Sequence, residues 1–141
     1  MANVLLVYWS GTGNTEIMAE KIKEGLESAG ATVDYRTVDQ VEPSEVSDFD
    51  KIVFGCPSMG VEVLEEDEFE PFFEAVEGLL SGKKVALFGS YGWGEGEWMD
   101  GWIERTEASG AKLFGGFKVN STPSSEEEEK CVEFGANFAK F

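Results

Sequence analysis

The stretch VLLVYWSGTGNT, residues 4–15, joins an apolar run to a short loop of glycines and small polar side chains. The apolar run over 4–8 is typical of a strand that is buried on both faces of a parallel sheet. Directly after the loop, Met18, Ile22 and Leu26 recur at helical spacing. The stretch therefore predicts a strand, a tight loop and the start of a helix, in that order.

Two further apolar runs, residues 52–54 and 85–88, repeat this arrangement of a strand followed by a helix. Large apolar side chains recur three or four positions apart after each run, which favours an amphipathic helix in both places. The side chains predicted to face the core from these two helices are Phe69, Phe72, Phe73, Val76, Leu80, Trp98, Trp102 and Ile103.

The remaining elements complete an alternation of strands and helices. Residues 33–37 alternate apolar and polar side chains, which favours a half-exposed strand near a sheet edge. A short helix near Ser44 and a strand over 113–119 follow, and Ser125 is the predicted cap of a final, glutamate-rich helix. The predicted inward face of this last helix carries Cys131, Phe134, Phe138 and Phe141.

Five strands that alternate with about five helices predict an α/β protein with a doubly wound parallel sheet. The commonest five-stranded arrangement of this kind has the strand order 2-1-3-4-5. Ligands bind such sheets at the carboxyl ends of strands 1 and 3, where the order reverses. At 141 residues, the chain is predicted to form a single domain over 1–141.

Composition restricts the partners of this domain. A hydrophobic content of 42% indicates a folded protein, although 28 acidic residues against 11 basic ones give a net charge of −17. Such a charge repels nucleic acid and anionic lipid and attracts basic protein surfaces. With no leader sequence recognised, we expect a cytoplasmic protein. Cys56 and Cys131 show no metal-ligand spacing and the chain has no histidine, so no metal site is predicted.

The loop after the first strand has the composition of a phosphate-binding site. Two glycines allow its N–H groups to converge at a helix N-terminus, and four neighbouring side chains can donate hydrogen bonds. The nearest basic residue is Lys21, so the loop lacks the lysine of a Walker A motif. The next glycine is Gly25, which excludes the dinucleotide fingerprint. The loop residues are Ser10, Gly11, Thr12, Gly13, Asn14 and Thr15.

The loops after the third and fourth strands read GCPSMGVE, residues 55–62, and GSYGWGEG, residues 89–96. Both lie at carboxyl ends, on the same side of the sheet as the phosphate loop. Met59 and Trp93 offer surfaces for the two faces of a flat ring, although Trp93 could instead pack on its own domain. Packing in the core is the preferred interpretation for Trp9, Trp98 and Trp102, and Cys56 is predicted to be a buried structural thiol.

Residues 8–15, the Met59-Gly60 turn and residues 89–94 together resemble the short-chain flavodoxins of anaerobic bacteria, and the resemblance extends along essentially the whole chain. It implies a flavodoxin-like fold with one non-covalently bound FMN. The implied function is low-potential one-electron transfer, through the oxidised, semiquinone and hydroquinone states. The chain would then be a monomeric carrier with no catalytic residues, working between basic-surfaced reductases and oxidoreductases.

The same resemblance assigns roles to individual residues. Met59 and Trp93 would flank the isoalloxazine, and Glu62 would accept a hydrogen bond from the flavin N3–H. The Gly60 carbonyl would accept from N5–H of the semiquinone. Ser10, Thr12, Asn14 and Thr15 would bind the phosphate. The full set of implied FMN contacts is Ser10, Gly11, Thr12, Gly13, Asn14, Thr15, Ser58, Met59, Gly60, Glu62, Ser90, Tyr91, Gly92, Trp93 and Gly94.

Two other functions use the same topology. An FMN-dependent quinone reductase would carry out two-electron chemistry, and it usually needs more chain for a substrate pocket or a dimer interface. A phosphoacceptor signalling domain needs clustered aspartates at the ends of strands 1 and 3. This chain has Ser10, Gly11, Cys56 and Pro57 at those positions, which disfavours the signalling domain.

Overall fold

The computed structural model describes residues 3–11, 13–58, 64–92 and 96–141. Its strands form one sheet in the order 2-1-3-4-5, and every neighbouring pair is parallel. This arrangement confirms the predicted fold class. The strands are β1 (Asn3–Tyr8), β2 (Thr32–Thr37), β3 (Lys51–Gly55), β4 (Lys84–Tyr91) and β5 (Lys112–Asn120).

Four α-helices connect and cover these strands. They are α1 (Asn14–Ser28), α2 (Phe69–Glu77), α3 (Glu97–Ala108) and α4 (Ser125–Ala139). The short helix predicted near Ser44 is confirmed as a 3-10 helix over Pro43–Asp48, and a second 3-10 turn covers Val38–Gln40. Within the described ranges, no helix combines the length and the hydropathy needed to span a bilayer.

The sheet is covered on both faces, so its central strands are buried throughout. Leu5 and Val7 of β1 belong to the core beneath α2 and α3, whereas Val4 and Leu6 belong to the core beneath α1 and α4. The outer strands β2 and β5 are half-exposed, as the alternating pattern over 33–37 predicts. The predicted core residues of α2 and its C-terminal turn are confirmed as buried, together with Trp98 and Trp102.

Helices α1 and α4 approach each other closely at two glycines. A Cβ atom added to Gly25 would lie 2.7 Å from the Val132 carbonyl carbon and 2.9 Å from the Ala136 nitrogen. A Cβ atom added to Gly135 would lie 3.1 Å from the Leu26 nitrogen. Because these contacts are to backbone atoms, the spacing of the two helices depends on glycine at both positions.

The start and the end of α4 differ from the sequence-based expectation. The cap is Ser124 and not Ser125: the Glu127 N–H donates to Ser124 Oγ at 3.2 Å, and the Ser124 N–H donates to Glu127 Oε1 at 2.9 Å. Both serines precede a glutamate by three residues, so the pattern alone does not distinguish them, whereas the extended backbone of Ser124 does. Phe141 was expected to face inward but is 38% exposed, because α4 ends at Ala139.

Candidate functional site

A cleft of about 190 Å³ lies at the carboxyl edge of the sheet. It forms there because the carboxyl ends of parallel strands meet at one edge, and the order reverses between β1 and β3. None of the described lining residues is charged at neutral pH, so the cleft is electrically neutral inside a strongly acidic protein. Its described lining consists of Trp9, Gly11, Asn14, Pro57, Ser58, Ser90, Tyr91, Gly92 and Ser121.

The loop between β1 and α1 folds around the Ser10 hydroxyl. Ser10 Oγ accepts hydrogen bonds from the Gly13 N–H at 3.1 Å and from the Glu16 N–H at 3.4 Å. Gly13 is the N-cap of α1, and its φ of 97° lies in the left-handed region that favours glycine. Among the described residues, the N–H groups of Asn14 and Thr15 have no protein acceptor. These two donors at the helix N-terminus are suited to binding an anion.

The starts of α2 and α4 are closed by the protein itself, whereas the N-cap of α3, Gly96, has no side-chain cap but is followed by Glu97 and Asp100 in the first turn. At α2, the buried carboxylate of Glu65 accepts from the N–H groups of Asp67, Glu68 and Phe69 at 2.7–2.8 Å. At α4, Ser124 Oγ accepts from the Glu127 N–H, and the Glu127 carboxylate accepts from the Ser124 N–H. The start of α1 has no such carboxylate, because the Glu16 side chain accepts from the Tyr8 hydroxyl at 3.3 Å instead.

Thr15 joins the phosphate loop to β4. Its side chain is buried, and its hydroxyl oxygen lies 3.1 Å from Ser90 Oγ and accepts from the Ser90 N–H at 3.4 Å. The Ser90 carbonyl accepts in turn from the Ser58 N–H at 3.0 Å. One chain of hydrogen bonds therefore connects the start of α1, the end of β4 and the loop after β3, which fixes these three parts of the site relative to one another.

Gly11 lies in close contact with the ring of Trp9. A Cβ atom at Gly11 would lie 2.9 Å from Cη2 of the Trp9 ring, so the indole lies directly against the loop. Trp9 is partly buried against the core, as expected, but it also lines the cleft. The core interpretation is thus incomplete for this residue, because a side chain placed directly after a central strand can contact both the core and the site.

The connection between β5 and α4 forms one side of the site, and the sequence did not single it out. Ser121 adopts a φ of 60° and donates its N–H to the Tyr91 carbonyl at 2.6 Å. The Thr122 hydroxyl donates to Asn14 Oδ1 at 3.0 Å. Their positions after the fifth strand were the available signal, since every loop at this edge of the sheet is a candidate for ligand contact.

Cys56 is buried beside the site, which confirms the prediction of a structural thiol. Burial raises the pKa of the Cys56 thiol well above its usual range, so the nucleophilic thiolate is disfavoured. Its sulfur accepts from the Glu65 N–H at 3.4 Å. This contact joins the two ends of the segment between β3 and α2.

The structure brings the described members of the predicted set to the same edge of the sheet. These members are Ser10, Gly11, Gly13, Asn14, Thr15, Ser58, Ser90, Tyr91 and Gly92. The predictions for Thr12, Met59, Gly60, Glu62, Trp93 and Gly94 lie outside the described residues and stay predictions.

The residues present fit FMN on chemical grounds. Main-chain N–H groups and hydroxyls at the start of α1 match the acceptor oxygens of a phosphate ester. The rings of Trp9 and Tyr91 and the apolar Pro57 provide surfaces for a flat heterocycle in the same cleft. No lining carboxylate opposes the phosphate among the described residues. The pairing of an anion site with aromatic walls suits a flavin mononucleotide.

Comparison with known proteins agrees with this chemistry. The family model described as Flavodoxin matches residues 6–135. A flavodoxin of Megasphaera elsdenii is 49% identical over 137 residues, covering 97% of this chain and 98% of the relative. A flavodoxin of Clostridium beijerinckii is 47% identical, covering 95% of this chain and 97% of the relative. The solution structure of two-electron reduced Megasphaera elsdenii flavodoxin has 48% identity and a TM-score of 0.89, covering 98% and 99% of the two chains. This chain therefore belongs to the flavodoxin family of FMN-binding electron carriers.

Proposed function

We propose that this flavodoxin carries single electrons at low potential between redox proteins, with FMN held at the carboxyl edge of its sheet. The observation that carries the proposal is the neutral cleft beside the start of α1, where the N–H groups of Asn14 and Thr15 have no acceptor among the described residues. Of its described lining residues, Tyr91 alone has a titratable side chain, so the described lining offers no carboxylate, histidine or lysine for acid–base catalysis. FMN supplies the redox chemistry when it is bound, and the protein positions it.

The phosphate end of the site is assigned to the loop at the start of α1. The N–H groups of Asn14 and Thr15, which have no acceptor within the described ranges, would bind the phosphate, and Ser10 holds the loop in the conformation that directs them. We include Thr12 among the phosphate contacts on the family resemblance. A helix dipole and main-chain N–H groups can hold a phosphate in place. Without the lysine of a Walker A loop, they do not assist phosphate transfer.

The ring end of the site is assigned to the loops after β3 and β4. Met59 and Trp93 are proposed to cover the two faces of the ring, and Glu62 to accept from its N3–H. The Gly60 carbonyl is proposed to accept a hydrogen bond from N5 after one-electron reduction. Ser58, Ser90, Tyr91, Gly92 and Gly94 complete the proposed contacts.

The acidic surface supports the remaining parts of the proposal. A net charge of −17 attracts basic docking surfaces on reductases and oxidoreductases and opposes association of the chain with itself, which favours a monomer. Cys56 and Cys131 are both free thiols, which fits the reducing cytoplasm.

Anaerobic titration with dithionite tests the one-electron assignment. The FMN-loaded protein is reduced stepwise while its visible spectrum is recorded. A blue one-electron form that accumulates before the protein bleaches is the expected result. Direct bleaching from yellow to colourless would contradict the proposal and support the two-electron quinone reductase. Failure of the apoprotein to bind FMN would contradict both.

A pair of serine variants tests the placement of the phosphate. Ser10→Ala and Ser124→Ala each remove a hydroxyl that accepts from N–H groups at a helix start, so each should cost about 1 kcal/mol of folding stability. Only Ser10→Ala should reduce the preference of the apoprotein for FMN over riboflavin, which lacks the phosphate. Equal preference in the two variants would contradict the assignment of the phosphate to α1.

A further inference from the structure

Trp9 connects the proposed phosphate loop to the start of α2. Its backbone N–H donates to the Gly55 carbonyl at 2.9 Å, which holds residue 9 between the ends of β1 and β3. Its ring lies against Gly11, and its indole Nε1–H donates to Glu68 Oε1 at 3.1 Å. A displacement of the indole would therefore be transmitted directly to the loop that contains Gly11.

Glu68 is free to bind Trp9 because another carboxylate caps α2. Glu68 occupies the N-cap position, where a side chain ordinarily folds back onto the first N–H groups of the helix. Glu65 already accepts from those groups, and the Glu68 side chain makes no capping bond. Glu65 also donates its own N–H to Cys56, so the capping carboxylate is anchored at the end of β3.

The bond from Trp9 to Glu68 spans 59 residues of sequence. It links the loop that contains Gly11 to the start of α2, and the contact between Cys56 and Glu65 joins the start of α2 to the end of β3. The position of the Trp9 indole therefore depends on a contact with the start of α2.

We propose that Glu68 is a positioning residue for FMN: through its hydrogen bond to Trp9, it holds the indole against Gly11 and so sets the conformation of the phosphate loop. The proposal rests on the placement of the phosphate at the start of α1. Glu68 acts through Trp9 and is assigned no contact with FMN. Loss of the bond should weaken FMN binding, because part of the binding free energy would then order the loop.

Two variants of Glu68 separate the hydrogen bond from the charge. Glu68→Ala and Glu68→Gln remove the same negative charge, but only glutamine keeps a side-chain oxygen that accepts from the indole N–H. We expect Glu68→Ala to bind FMN about threefold to tenfold more weakly than Glu68→Gln, the range that one such bond supplies. Glu66→Ala and Glu66→Gln, at an exposed position nearby, should bind FMN equally.

Fluorescence titration of the apoprotein with FMN and with riboflavin gives the affinities. The difference in affinity between Glu68→Ala and Glu68→Gln should be large for FMN and small for riboflavin. The difference in FMN affinity should disappear in a Trp9→Phe background, because phenylalanine lacks the indole N–H donor. Equal FMN affinities for the two Glu68 variants, or equal losses for both flavins, would overturn the positioning role alone. A wild-type protein that binds both flavins equally would overturn the phosphate assignment, and the positioning role with it.

Discussion

Substitution of Gly25 by alanine should destabilise the protein, although alanine is the better helix former. In an unobstructed helix, replacing glycine by alanine stabilises by about 0.5–1 kcal/mol. At Gly25 the added Cβ would lie 2.7 Å from the Val132 carbonyl carbon, well inside van der Waals contact. Overpacking costs about 1–3 kcal/mol, and the upper part of that range applies because backbone atoms cannot rotate away. The expected net loss is about 1–2 kcal/mol.

Gly101→Ala is the matched control, because Gly101 lies inside α3 and a Cβ there has no neighbour within 4 Å. This variant should gain about 0.5–1 kcal/mol. Urea denaturation of the apoprotein measures both changes without the added stability that bound FMN supplies. Each 1 kcal/mol corresponds to a shift of about 2–4 °C in Tm for a domain near this size.

The same contact predicts coupling between Gly25 and Gly135. Both glycines face backbone of the opposite helix, so one separation of α1 from α4 relieves both clashes. The double variant Gly25→Ala/Gly135→Ala should therefore lose less stability than the sum of the two single losses. If Gly25→Ala were as stabilising as Gly101→Ala, the close approach of the two helices would be wrong.

Three further results are expected. Burial raises the pKa of the Cys131 thiol to about 12, above its value in the unfolded chain, so folding stability is retained below about pH 9 and lost as the pH rises above it. In urea denaturation at increasing pH, Cys131→Ala should lose less stability above about pH 9 than the wild type. An unchanged dependence of stability on pH would exclude the thiol as its cause. Thr15→Val should lower the free energy of unfolding by about 1–2 kcal/mol, because the buried Ser90 hydroxyl loses its partner. Thr106→Val should lower it less, because the Trp102 carbonyl keeps its hydrogen bond within the helix. FMN affinity should increase with salt concentration, because the neutral cleft of a chain with charge −17 binds an anion against net repulsion, which salt screens. Riboflavin, which lacks the phosphate, is the control. An FMN affinity that falls with salt would indicate a cation at the phosphate.

The strand order was predictable because three features of the sequence agree. Fully apolar runs such as residues 85–88 indicate buried parallel strands, and the alternation over 33–37 indicates an edge. Helical spacing after residues 4–8, 52–54 and 85–88 indicates crossover connections, which are right-handed as a rule in parallel sheets. One departure from the expectation occurs where a local pattern is degenerate, at Ser124 and Ser125, which share the same spacing to glutamate.

Long-range contacts were not predictable in the same way. Arg105 of α3 binds both Glu70 and Glu77 of α2 at 2.7–2.9 Å and lies over the ring of Phe73. In sequence, each of these residues resembles any other charge on a solvated helix face. Their pairing depends on the angle between two helices, which the periodicity of either helix does not determine. The bond between Trp9 and Glu68 escaped prediction because it joins a loop to a helix start 59 residues away, and no local pattern determines that pairing.

The proposed location of the phosphate, in contrast, rests on a comparison of the starts of α1, α2 and α4 that needs both sequence and structure. Every helix start carries partial positive charge, so glycines and hydroxyls alone do not show which one binds an anion. The carboxylate of Glu65 occupies the start of α2, and Ser124 with Glu127 occupies the start of α4. At α1 the Glu16 carboxylate accepts from the Tyr8 hydroxyl, so among the described residues no carboxylate accepts from the N–H groups of Asn14 and Thr15. These N–H groups are therefore available to an anionic ligand, and the ligand that we propose is the phosphate of FMN.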